Sequence, residues 1–186
     1  MAVIKVLGLD PSLNNWGIAA GTYDTVSKRL LIKHVNVIQR LKDDSKRVRQ
    51  NSKDLAAAQA ILKGLQPYLV EKPVVFAEVP IGSQSARAMA SYGICVGILG
   101  AIRAMDTPFF EVTPTEVKLA ATGDKNATKA DMIAFGLREH PEANWPRKKD
   151  GSVTAGSAEH MADACGAIRA GLSGNEFQQL AAMQQL

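Results

Sequence analysis

The chain of 186 residues is 46% hydrophobic and 22% charged, enough apolar material for one globular domain with its own core and too much for intrinsic disorder. Aromatic residues make up only 5%, which argues against a binding surface built on ring stacking. Lys and Arg outnumber Asp and Glu by 22 to 18, and the resulting +4 permits nucleic acid as a partner without requiring it. Cys95 and Cys165 stand in apolar stretches with no metal-ligand neighbour at short spacing, so both read as reduced core thiols. The longest uncharged stretch, residues 88–102, is shorter than the roughly 18 residues of a membrane span. Asp10 interrupts the N-terminus before a signal-peptide core can form, so the chain reads as soluble and cytoplasmic.

Residues 3–9, Val-Ile-Lys-Val-Leu-Gly-Leu, predict a mostly buried strand that Asp10-Pro11-Ser12 breaks. Strands follow at about 16–23 and 29–38, and the short connections between the three predict an antiparallel meander. Residues 44–69 are helical by period, with Val48, Leu55, Leu62 and Leu69 recurring every seven and Ala58, Ile61 and Leu65 widening the stripe. The first part of this stretch is basic, with Arg40, Lys42, Lys46, Arg47, Arg49 and Lys53 against Asp43, Asp44 and Asp54. Residues 74–77 form a short buried strand closing on Glu78, and 83–105 a core helix. Gly93, Gly97 and Gly100 line one face of that helix and predict tight packing, within the chain or between two chains.

A fifth strand covers 109–112, and Thr113-Pro114-Thr115-Glu116 opens a helix with Pro at its first position. Thr128 caps another helix to about His140. Residues 141–157 are a Pro-, Gly- and charge-rich loop carrying Arg147-Lys148-Lys149, and a last helix spans about 158–170. Three strands followed by alternating helices and strands predict an α/β domain over residues 1–172, with a mixed five-stranded sheet in the ribonuclease-H-like arrangement. Residues 173–186 read as a Gln-rich tail.

Acids stand where the hydrophobic pattern predicts none. Asp10 and Glu78 each end an apolar strand, and neighbouring strands would deliver them side by side. His160 and Asp163 lie three apart on one face of the final helix. A carboxylate at the end of a buried strand must be paired, hydrogen-bonded or metal-bound. Three carboxylates and one imidazole around a point suit Mg²⁺ or Mn²⁺, and two such ions clamp a phosphoryl displacement. Ordinary roles remain for each residue: a turn at Asp10, a lysine partner for Glu78, a helix-surface place for His160.

Four segments in order resemble the RuvC family of Holliday-junction resolvases. Gly8-Leu9-Asp10-Pro11-Ser12 followed by Gly17 is similar to its opening motif, and Ala77-Glu78 to its second acidic motif. Glu159-His160-Met161-Ala162-Asp163-Ala164 resembles its C-terminal acidic helix, and Lys118 and Lys129 repeat its lysine pair 11 residues apart. The resemblance implies a ribonuclease-H-like fold, a homodimer and metal-dependent paired nicking of four-way DNA junctions. It implies Asp10, Glu78, His160 and Asp163 as the ligands of two Mg²⁺ or Mn²⁺ ions, and Lys118 and Lys129 as electrostatic contacts to the scissile phosphate. The Arg40 to Lys53 stretch, Lys125, Arg147, Lys148 and Lys149 then become phosphate contacts, with solvation of a helix face as the alternative for the Arg40 to Lys53 set.

Two departures stand out. His160 takes a place where many members have aspartate, and Glu159, at i,i+4 to Asp163, is a rival fourth ligand. After Glu78 the chain reads Val79-Pro80-Ile81, without the aromatic residue of well-studied members, so Ile81 is the candidate base wedge there. A broader branched-DNA nuclease of the same fold is therefore a rival reading. A non-catalytic junction-binding protein is another, and the chain is too short for a two-domain actin-like phosphotransferase.

Overall fold

A computed structural model describes residues 3–41, 45 and 47–184. Lys42, Asp43, Asp44 and Lys46 of the basic stretch lie outside them. The elements run β1 (Val3–Asp10), β2 (Asn15–Asp24), β3 (Arg29–Gln39), α1 (Gln50–Leu69), β4 (Val74–Glu78), α2 (Ala86–Arg103) and β5 (Phe109–Val112). They continue as α3 (Pro114–Thr122), α4 (Lys129–Glu139), α5 (Ala155–Ser173) and α6 (Asn175–Gln184). The sheet order is β3-β2-β1-β4-β5. The first three strands are the predicted antiparallel meander, and β4 and β5 add in parallel beside β1. This mixed five-stranded sheet between helices is the ribonuclease-H-like architecture.

Strand alternation divides the core into two layers. Leu7, Leu9, Trp16, Ile18, Val75 and Ala77 face α1 and α2. Val6, Ala19, Tyr23, Val74, Phe76 and Val112 face α5, which α3, α4 and α6 flank. By the same parity Gly8, Asp10 and Glu78 belong to the α5 side. Among the described residues no helix is long and apolar enough to cross a membrane.

α5 lies against the backbone of the central strands. A Cβ at Gly8 would collide with the Ala164 carbonyl, and one at Gly17 with the His160 carbonyl. The helix suits this approach because Ala158, Ala162, Ala164, Gly166, Ala167, Ala170 and Gly171 all lie on its buried surface.

Three sequence expectations are corrected and one is narrowed. The buried stripe of α1 is Asp54, Ala57, Ile61 and Leu65, whereas Leu55 is 73% exposed and Val48 lies ahead of the helix. Pattern counting follows apolar residues, and here a buried acid takes the first place in the stripe. A methyl group at Gly93, Gly97 or Gly100 would meet nothing of its own chain within 4 Å, so the tight contact predicted for these glycines is not made within the chain. Residues 155–157 belong to α5, lengthening it at the start. Within the segment read as a tail, residues Asn175–Gln184 form α6, and Phe177 packs on Tyr23, Phe76 and Phe110 with ring centroids 5.5 to 5.9 Å apart.

The close approach of α5 gives a direct expectation. Gly8→Ala places a methyl group against helix backbone, which cannot rotate away, and lowers stability by about 1–3 kcal/mol. Urea unfolding followed through the buried Trp16 and Trp145 measures it.

Candidate active site

The parallel pairing of β1 with β4 ends at Leu9 opposite Ala77, and Asp10 and Glu78 each follow by one residue. Both acids therefore leave the sheet together, toward α5. Gly17 pairs with Asp10 across β2 and lets α5 down over it. One turn of α5 then supplies His160 and Asp163. The His160 Nδ1–H donates to Asp10 Oδ2 at 2.6 Å, with both side chains largely buried.

The electrostatics are those of crowded, poorly compensated acids. Burial pushes Glu78 up to about 8, and the charges of Asp10 and Asp163 add to this while Lys118 opposes it. Burial pushes Asp163 up to about 7, with Asp10 and Glu159 adding and His160 and Lys118 opposing. Asp10 stays above its ordinary range because burial outweighs the hydrogen bond from His160. That same bond holds the His160 imidazole above its usual value. The four residues thus sense one another, and Lys118, half-buried on α3, lies within the field of Glu78 and Asp163.

Among the described residues no group of three or more His, Cys, Asp and Glu is arranged to hold a metal ion. One Asp10 oxygen and the His160 Nδ1 are spent on each other. The donor set nevertheless fits a hard divalent cation in kind, being three oxygen-bearing carboxylates and one imidazole whose buried negative charge lacks a full counter-charge.

The other predicted residues surround this cluster at different ranges. Lys129 opens α4, and its ammonium pairs with Glu159, one residue before His160. Lys125 is exposed in the turn between α3 and α4. Arg147, Lys148 and Lys149 are exposed on a small hairpin closed by the Arg147–Val153 bridge, and this hairpin runs directly into α5. Ile81 is 78% exposed in the segment after Glu78. Arg40 has a different part from the phosphate contact read from sequence. Arg40 and Arg87 both donate to the buried Asp54 at 2.5 to 2.9 Å, holding its carboxyl far below its ordinary range. Sequence reasoning did not single out Asp54; an acid in register with Ala57, Ile61 and Leu65 was the available signal.

In metal-free buffer the folded protein keeps a proton on Glu78 up to about pH 8, whereas the unfolded chain releases it near 4.5. The folded state binds more protons in that window, so this group's contribution to stability declines as pH rises through it. Glu78→Gln removes that decline, and thermal unfolding in EDTA between about pH 5 and 9 compares the two slopes.

No protein-family model matches the sequence, and no curated protein matches it. Solved structures do. RuvC of Thermus thermophilus in complex with a Holliday junction substrate superposes with a TM-score of 0.61 at 16% identity, covering 89% of this chain and 93% of that one. The fowlpox virus resolvase in complex with Holliday junction DNA gives 0.57 at 14% identity, covering 95% and 99%. The chain has the ribonuclease-H-like fold that RuvC and the fowlpox resolvase share.

Proposed function

We propose that the protein is a metal-dependent endonuclease that resolves four-way DNA junctions. The observation that carries this reading is the convergence of Asp10, Glu78, His160 and Asp163 at the sheet end, in a fold similar to that of two resolvases solved with junction DNA. Mg²⁺ or Mn²⁺ held by these four residues, as two ions, would activate a water nucleophile and stabilise the leaving oxygen. Ligation through His160 would take a neutral imidazole, whose Nε2 lone pair is available while Nδ1–H stays hydrogen-bonded to Asp10. Lys118 and Lys129 bring positive charge to the non-bridging oxygens of the scissile phosphate. The water oxygen bonds to phosphorus, the bond to O3′ breaks and O3′ takes up a proton, leaving 5′-phosphate and 3′-hydroxyl ends.

The surroundings support a branched DNA substrate. The hairpin of Arg147, Lys148 and Lys149, with Lys125 across the α3–α4 turn, offers exposed charge for phosphates without reading sequence. Ile81, exposed three residues after Glu78, would serve as an aliphatic wedge. A homodimer is part of the reading. The outer face of α2 exposes Met89, Val96, Gly93, Gly97 and Gly100 with no charge among them, and the three glycines leave room for another backbone. Two sites related by a two-fold axis match two opposed strands of a junction.

Cleavage of a labelled synthetic four-way junction, beside linear and flap controls, tests the activity in Mg²⁺, Mn²⁺ and EDTA. Paired symmetric nicks in the junction alone, absent in EDTA, are expected. Equal cutting of flaps identifies the broader branched-DNA nuclease that the aliphatic Ile81 favours. Asp10→Asn and Asp163→Asn bind the junction and lose cleavage by on the order of 100-fold or more. Gly97→Glu brings a charge from each protomer into the α2 face, and sedimentation of that variant as a monomer beside a dimeric wild type checks the assembly.

A further inference from the structure

We infer that Glu159 positions the Lys129 ammonium at the mouth of the carboxylate cluster, as a residue that acts through the lysine and not as a metal ligand. The inference rests on the nuclease reading above and assigns Glu159 its part in it. Lys129 is 78% exposed on a flexible four-carbon stem, which left to itself samples many rotamers. Its two ends are held separately. The backbone is fixed at the start of α4 by a capping box, in which Thr128 accepts from the Asp131 N–H and the Asp131 carboxylate accepts from the Thr128 N–H and hydroxyl. The ammonium is fixed by Glu159, whose two oxygens lie 2.8 and 3.0 Å from Nζ.

Glu159 is itself well placed to hold something still. It is only 19% exposed and sits on α5, the helix pressed against the sheet backbone, next to His160. The same ammonium lies within the electrostatic field of Asp163. Both Glu159 oxygens face the lysine, which leaves neither directed at Asp10 or Asp163 as a ligand. An ion pair with so exposed a lysine adds little to stability. Its worth is geometric: a charge that must meet developing negative charge on the non-bridging oxygens loses most of its effect when displaced by an ångström.

The test is single-turnover junction cleavage at saturating enzyme by wild type, Glu159→Ala, Glu159→Gln, Lys129→Ala and the double variant Lys129→Ala/Glu159→Ala. Junction affinity in EDTA and Mn²⁺ binding by calorimetry are measured alongside. Glu159→Ala is expected to slow the cleavage step by roughly 10- to 100-fold while junction and Mn²⁺ affinities stay at wild-type values. Glu159→Gln, whose amide oxygen still accepts from the ammonium, recovers part of the rate. The double variant is no slower than Lys129→Ala alone, because Glu159 has nothing to act through once the lysine is gone. Wild-type rates in Glu159→Ala overturn the inference, as do fully multiplicative losses in the double variant. Loss of Mn²⁺ affinity in Glu159→Ala also overturns it, by making the residue a ligand. A wild-type protein that cuts no branched DNA overturns the proposed function and this inference together, whereas a cutting wild type with an indifferent Glu159 overturns the inference alone.

Discussion

The contact between α5 and the bare backbone at Gly8 and Gly17 governs the site. Asp10 and Glu78 are delivered by strands, and only a helix lying unusually near the sheet brings His160 within 2.6 Å of Asp10. Any side chain at Gly17 would lift the helix just where His160 sits. The small residues along α5 are the other half of the same constraint. A helix of leucines would stand off the sheet by the usual spacing and leave its polar residues out of reach. Close packing here thus sets the geometry of the charged groups as well as the stability of the core.

Two sets of acids receive opposite treatment in one small domain. Asp54 is met by the guanidinium groups of Arg40 and Arg87 and by the Gln50 amide, so its charge is satisfied. That arrangement ties the end of β3 to the starts of α1 and α2. At the other acids the balance is incomplete: Glu78 and Asp163 are half-buried beside like charges, which Lys118, His160 and Lys129 offset in part. A cluster so poised costs stability as protein alone and has value when positive charge arrives from outside. The contrast separates an acid matched by its own fold from acids that the fold leaves short of counter-charge.

Much of this was legible in the sequence because the relevant signals are local. An acid at the end of an apolar strand is visible residue by residue, and a parity of two carries Asp10 and Glu78 to one face without knowledge of the rest. The three-residue spacing of His160 and Asp163 is equally plain. What eluded the sequence depends on partners remote in the chain. Gly93, Gly97 and Gly100 look like packing glycines, yet Gly8 and Gly17, which read as ordinary strand glycines, are the ones pressed by a helix. The stripe of α1 was displaced because a buried ion pair hides an aspartate among apolar positions. Phe177 lies in a polar, Gln-rich segment, and only the aromatic pocket made by Tyr23, Phe76 and Phe110 gives it reason to fold inward.

The hydrogen bond between Asp10 and His160 joins residues 150 positions apart. Closing so long a loop costs entropy that nearby contacts cannot repay in advance. The meander of β1, β2 and β3 can form from neighbouring sequence, but the acid cluster exists only after α5 has found the central strands. During synthesis, then, the growing chain carries a sheet without a site for most of its length. A chain that stops short of α5 lacks His160 and Asp163, and so carries only the Asp10 and Glu78 half of the cluster.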